Sequence, residues 1–225
     1  MVKQFGSRAV EYSLSHMNET PLRKSRLRIR RLRRSELPLD STKLARYLIG
    51  KTLVRELPHA RLSGRIVETE AYPVGDPAGH AFRGLTDANR SLFLRHGHAY
   101  VRFTYGSCWL MNVSAEAPGV GGGVLIRALE PLEGAEYMTE HRGVDRFIDA
   151  TRGPGRLAEA FDIDKRFDGL DLCDRSSPLW LGAAIKPAGP IGISVRIGIS
   201  LAVDRQLRFY ERDNPFVSGA LRLRA

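Results

Sequence analysis

Charges set inside apolar strands constrain this chain more than any other feature of its sequence. The run Val124, Leu125, Ile126, Arg127, Ala128, Leu129 carries one cation, and Ile66, Val67, Glu68, Thr69, Glu70, Ala71 carries two carboxylates. Both runs are apolar enough to be half or fully buried. An unpaired ion in such a place costs several kcal/mol, so the fold has to bring Arg127 to a carboxylate or open these charges onto a wet cleft. Side chains alternate along a strand, which puts Glu68, Glu70 and Tyr72 on one face, so chemistry at Glu70 would have a tyrosine beside it. A purely architectural ion pair would satisfy the same constraint, because such networks also form where nothing is catalysed.

The rest of the chain supplies a frame for these strands. Pro38 followed by Asp40, Ser41 and Thr42 starts a helix, Leu44, Ala45, Leu48 and Ile49 recur at helical spacing, and Gly50 ends it. Strands are expected over Thr52–Glu56 and Arg65–Tyr72 with a turn near Pro58, then a Pro- and Gly-rich loop from Pro73 to Gly84. Ala99–Tyr105 and Cys108–Val113 read as a hairpin closed by a two-residue type II′ turn at Gly106-Ser107. Gly121–Gly123 lead into the strand Val124–Leu129, and Glu133–Arg142 and the stretch across Leu157, Ala158 and Phe161 read as helices. The alternation of Ile191, Ile193, Val195 and Ile197, then Leu207–Tyr210, reads as strands again. The irregular order of elements implies an α+β fold, one domain with a largely antiparallel sheet, flanking helices and a protruding β-hairpin.

With 225 residues, 43% of them hydrophobic, the chain is long enough for one large domain and a sizeable core. No run of about 18 apolar residues occurs, and the N-terminus lacks the apolar stretch of a secretory signal, so a soluble protein without a membrane span is expected. Cys108 and Cys173 fit neither a disulfide framework nor a zinc spacing, which suits a reducing compartment. No metal or cofactor is expected.

The net charge of +10 is unevenly spread. Residues 1–36 hold 10 basic side chains against Glu11, Glu19 and Glu36, a net +7, which leaves +3 for the remaining 189 residues. Residues 1–37 therefore read as a basic extension and 38–225 as the folded domain. Arg23, Lys24, Arg26, Arg28, Arg30 and Arg31 are dense enough to neutralise phosphates by counterion release, which points to nucleic acid; a merely solvated tail is the plainer alternative. His80 in the glycine-rich loop has no second His or Cys at ligand spacing. Tyr105, just before the hairpin turn, either packs on its neighbours or stands out as an aromatic wedge for a nucleic-acid groove.

Several longer motifs lie in order along residues 38–218. They are Arg65-Ile-Val-Glu-Thr-Glu-Ala-Tyr72, Tyr105-Gly106 with Met111-Asn112-Val113-Ser114, Leu125-Ile-Arg127-Ala-Leu-Glu-Pro-Leu-Glu-Gly134, Gly153-Pro-Gly-Arg-Leu157, Phe167-Asp168, Asp171-Leu172, Arg196-Ile-Gly-Ile-Ser200 and Leu207-Arg-Phe-Tyr210. Together they resemble the alkyladenine (3-methyladenine) DNA glycosylase family. The resemblance implies a monofunctional base-excision enzyme that flips a damaged purine out of duplex DNA and hydrolyses its N-glycosidic bond, with no lyase step, no cofactor, and substrates such as 3-methyladenine, 7-methylguanine, hypoxanthine and ethenoadenine. It implies that Glu70 is the general base acting on water, that Arg127 and the backbone carbonyl of Ile197 hold that water, and that Tyr72 and His80 line the base pocket. It further implies that Asn112 excludes guanine and Tyr105 fills the gap left by the flipped nucleotide. Arg102 departs from the pattern, since a second aromatic side chain is typical there; a guanidinium can stack on a base but repels a cationic one, which suggests a shift towards neutral lesions or an arginine that swings out to phosphate. The loop from Pro73 to Gly79 also reads as one residue short. A monomer is expected, cytoplasmic and nucleoid-associated in a bacterium or nuclear in a eukaryote. The alternative is a non-catalytic DNA- or RNA-binding module on the same fold.

Overall fold

The long strands at the centre organise everything else. The computed structural model describes residues 26–104 and 106–220. Helix α1 (Ser41–Leu48) begins where Asp40 accepts a hydrogen bond from the Lys43 N–H at 2.7 Å, and ends before Gly50, whose φ of +82° is readily adopted by glycine. It turns Leu44, Ala45 and Leu48 inward with no exposed surface; full burial of each leucine contributes about 1.5–3 kcal/mol.

Strand β1 (Thr52–Glu56) pairs with β2 (Arg61–Tyr72), which starts four residues earlier than the periodicity predicts because Arg61 already pairs with Glu56. Next come β3 (Ala99–Thr104), β4 (Cys108–Ser114) and β5 (Gly123–Glu133), then α2 (Ala135–Arg142) and α3 (Pro154–Ala160). Three short strands, β6 (Leu179–Gly182), β7 (Ile191–Ser194) and β8 (Arg208–Glu211), complete an antiparallel sheet in the order β3-β4-β5-β2-β1-β6. β2 has β5 on one side along most of its length. On the other side β1 takes its first half and β8 pairs over Glu68–Glu70, with β7 outside β8. This branch curls the sheet, and register shifts in the β2–β5 pairing at Ile66–Thr69 add to the bend. The fold is α+β in one domain.

Two local expectations need correction. Thr104 pairs with Cys108, so three residues rather than two connect β3 and β4. The alternating stretch from Ile191 keeps strand geometry only to Ser194, because Arg196 turns inward to bury its guanidinium and Gly198 takes a φ of +77°. β6 has no signature in the sequence. Its four residues carry no period of their own and become a strand only by pairing with β1.

Within residues 26–37, which the sequence assigns to the basic extension, Arg30–Leu32 run along β6. The Leu32 N–H donates to the Leu181 carbonyl at 2.9 Å, the Ala183 N–H donates to the Arg30 carbonyl at 2.7 Å, and Leu32 and Leu37 join the core. That core fills the space between the helices and one face of the sheet. The opposite face around β2, β5 and β8 carries the charges.

Candidate active site

Glu68 and Glu70 lie on the same face of β2, completely buried, while Thr69 turns to the other face and donates to the Ala45 carbonyl of α1. Pairing with β5 sets Arg127 between the two carboxylates. Its Nε donates to Glu68 Oε1 at 3.0 Å, and its Nη1 stands 3.2 Å from Glu70 Oε1. Arg208, from β8, adds a second buried guanidinium with Nε 2.7 Å from Glu68 Oε1, and Ser218 donates both its N–H (2.6 Å) and its hydroxyl (3.0 Å) to Glu68. Burial alone would raise the pKa of Glu68, but Arg127, Arg208 and the Ser218 N–H outweigh it and hold the carboxyl below its ordinary value. Two carboxylates and two guanidiniums thus balance in a region shielded from water.

Glu70 is held differently. Its Oε1 accepts the Ile197 N–H at 2.7 Å and its Oε2 accepts the Tyr72 hydroxyl at 2.9 Å. Burial and the neighbouring Glu70 charge push the Tyr72 phenol pKa far above its usual value, so the tyrosine remains a proton donor to the carboxylate. Behind the Tyr72 ring, 4.6 Å from its centroid, sits the guanidinium of Arg196. Arg196 pairs with the buried Asp76 and donates to the Ala71 carbonyl at 3.0 Å. The peptide at Ile197 is thereby locked beside Glu70 by the buried pair next to it in sequence.

Tyr72, Arg127 and Ile197, the three groups that hold Glu70, all line one cavity of about 440 Å3. That volume admits a purine-sized ligand. His80, Tyr100, Arg102 and Asn112 form another part of the wall, and the half-exposed Phe82 and Leu201 also line it. His80 Nδ1 lies 3.1 Å from the Tyr100 hydroxyl and also contacts an Arg102 terminal nitrogen, while Arg102 Nε donates to Thr104 Oγ1 at 2.8 Å. Although one side of the His80 ring reaches solvent, burial of the rest and the Arg102 charge lower its pKa to about 4. Asn112 donates to the Tyr100 carbonyl at 3.4 Å. The arrangement sets a fixed carboxylate behind the cavity, a guanidinium beside it, and an aromatic and polar wall for a flat ligand.

Seven of the residues singled out from sequence meet at this cavity. Tyr72, His80, Arg102, Asn112, Arg127 and Ile197 line it, and Glu70 sits directly behind three of them; Ile197 meets Glu70 through its N–H, whereas the family resemblance points to its carbonyl. Arg26, Arg28, Arg30 and Arg31 lie elsewhere. Arg30 pairs with Glu36 at 2.8 Å, and Arg31 stacks 4.3 Å over Trp180 while donating to the Asp174 and Ser177 carbonyls. Arg26 and Arg28 are exposed. Arg23, Lys24 and Tyr105 lie outside the described residues. Sequence reasoning missed Arg208, Ser218, Asp76 and Arg196. A signal existed for Arg208, a cation in the otherwise apolar run Leu207–Tyr210, which needs a buried partner for the same reason as Arg127.

The family model of methylpurine-DNA glycosylase (MPG) matches residues 35–215. A protein of Mesorhizobium japonicum named "Putative 3-methyladenine DNA glycosylase" is 62% identical over 186 residues, 83% of this chain and 89% of its own length. Proteins with the same name from Paraburkholderia phytofirmans and Salinibacter ruber are 50% and 46% identical, over 90% and 79% of this chain and 94% and 91% of their own lengths. No helix among the described residues is long and apolar enough to cross a membrane. The chain belongs to the methylpurine-DNA glycosylase family and is a DNA glycosylase of the 3-methyladenine type.

Proposed function

We propose that this protein flips alkylated or deaminated purines out of duplex DNA and hydrolyses their N-glycosidic bond with water activated by Glu70. The observation that carries the reading is that a fully buried carboxylate is held by three groups, Tyr72, Arg127 and Ile197, each of which also lines a purine-sized cavity. Glu70 takes a proton from water at the cavity floor, the water oxygen bonds to the sugar C1′, and the bonding pair of the glycosidic bond leaves with the base. N3- or N7-alkylated purines are already cationic and depart as neutral molecules, whereas hypoxanthine and ethenoadenine leave with the bonding pair as anions and take a proton from solvent, while Glu70 returns its proton to solvent. Arg127 orients the water and Tyr72 stacks on the extruded base. Asn112 bars the exocyclic amine of guanine, and Tyr105 fills the vacated stack. Among the described residues no lysine lines the cavity, in keeping with a water-based reaction without a Schiff base or strand cleavage.

The basic segment 1–37 adds sequence-independent phosphate contacts ahead of the catalytic body 38–225, with Arg26 and Arg28 the exposed cations nearest that role. One chain supplies every residue of the site, so a monomer suffices. DNA of the bacterial nucleoid is the natural substrate, in keeping with the bacterial relatives.

The test is a duplex carrying a single hypoxanthine, treated with alkali after incubation. Wild type should give a break only after alkali, and Glu70→Gln should bind the duplex but give none. A break without alkali would refute the monofunctional reaction. Absence of product from wild type, on both hypoxanthine and 3-methyladenine duplexes, would leave a binding module instead.

A further inference from the structure

Arg102 reaches the cavity from β3, and its contacts fix the state of a neighbour. A guanidinium has only donors, and no lone pair to offer. Its contact with His80 Nδ1 therefore requires Nδ1 to be the acceptor, which leaves the imidazole proton on Nε2. The same contact excludes the doubly protonated ring, and the lowered pKa of about 4 agrees. Arg102 is itself held by the bond from its Nε to Thr104 Oγ1, so it presents one side to His80 and another to the cavity. Arg102 and Tyr100 are the charged and titratable groups in contact with the imidazole, and among the described residues Nε2 has no protein acceptor.

The charge balance singles out the same arginine. Arg127 faces Glu68 and Glu70, and Arg196 faces Asp76. No carboxylate among the described residues forms an ion pair with Arg102. One wall of the cavity thus carries an uncompensated positive charge beside a neutral ring with a free N–H.

We infer that Arg102 sets the lesion preference of this pocket: by fixing His80 as an Nε2–H donor and adding an unbalanced cation, it favours a neutral 6-oxopurine over a purine made cationic by alkylation. A 6-oxopurine presents acceptors at O6 and N7 to such donors. An N3-alkylated adenine keeps the N7 acceptor but has an amino group in place of O6 and a positive ring, so donor meets donor at position 6 and cation meets cation. The inference rests on the proposed excision reaction and names the substrate class of that same site.

The experiment compares single-turnover excision of hypoxanthine and 3-methyladenine from otherwise identical duplexes by wild type, Arg102→Met and Arg102→Gln. Alongside it, 15N spectra follow the His80 imidazole in DNA-free protein from pH 4 to 8. Arg102→Met should shift the hypoxanthine-to-3-methyladenine ratio by about tenfold towards 3-methyladenine, the scale of one hydrogen bond or one cation–π contact. Arg102→Gln, which keeps an N–H towards His80 without the charge, should fall between. Wild-type His80 should show the Nε2–H tautomer and no titration above pH 5, and Arg102→Met should raise its pKa, with burial, the larger cause, still holding it below 6.5. An unchanged ratio overturns the inference. So does a wild-type His80 protonated on Nδ1 or titrating near 6.5, and that readout stands even if the variants fold poorly. Failure of wild type to excise either lesion, with the His80 spectrum as expected, would sink the excision reading and the specificity built on it while leaving the Arg102–His80 contact intact.

Discussion

Replacing Glu68 by glutamine should be among the most damaging single changes outside the reacting groups. The side chain is fully buried, its Oε1 accepts from Arg127, Arg208 and the Ser218 hydroxyl, and its Oε2 accepts the Ser218 N–H. Glutamine is nearly the same size, so no cavity opens. It removes the carboxylate that faces Arg208 and one of the two that face Arg127, whose side chains are 0% and 8% exposed. Its amide N–H groups must also point at a donor. Breaking a buried pair in this way costs about 3–5 kcal/mol, which for a chain of this length corresponds to about 6–20 °C in Tm. Thermal and urea unfolding at pH 7 would measure it. Glu56→Gln serves as a control, since the Glu56–Arg61 pair is partly exposed and should contribute at most about 1 kcal/mol.

The pH dependence carries the same sign. Glu68 has a folded pKa below the unfolded value of 4.5, so its stabilisation is present above that value and is lost as pH falls through the folded pKa. The gap between wild type and Glu68→Gln should therefore be full at pH 7 and narrow below pH 4.5. A loss under about 1 kcal/mol at pH 7 would refute the claim that this carboxylate compensates two buried cations.

Two further outcomes are expected. A Cβ at Gly121 would come within 2.5 Å of Ala81 Cβ and the Phe93 ring, so Gly121→Ala should cost about 1–3 kcal/mol by overpacking and, by displacing Ala81, should lower excision through the adjacent His80; unfolding and single-turnover assays of the same preparation would show both effects or contradict the packing argument. Deleting residues 1–25, which removes Lys3, Arg8, Arg23 and Lys24, should reduce the slope of log binding constant against log salt by about 0.9 for each phosphate that is no longer neutralised, and an unchanged slope would remove this segment from the DNA interface.

Much of the frame is legible in the sequence because its signals are local. Asp40 before an apolar helical repeat, Gly50 after it, and the alternating or wholly apolar runs of β1, β2 and β5 each report burial through spacing within one segment. The hairpin turn is one residue longer than its sequence suggests because Gly106 suits connections of either length, and the choice between them is made by the Thr104–Cys108 pairing. β7 is shorter than its alternation suggests because Arg196 sits where an outward polar residue would, and nothing nearby in sequence reveals that Asp76 awaits it inside.

At the site, the residue pattern dictates that charges at 68, 70 and 127 be satisfied, since an ion in an apolar strand is too costly to leave alone wherever the strand lies. It does not dictate how. Arg127 reaches both carboxylates, Arg208 and Ser218 arrive from 140 and 150 residues away to hold Glu68, and the Ile197 N–H crosses 127 residues to hold Glu70. Those partners are selected by which strands bury their surfaces against one another, a property of the assembled sheet. The electrostatic requirement is written in each strand, and the groups that meet it are chosen when the sheet closes.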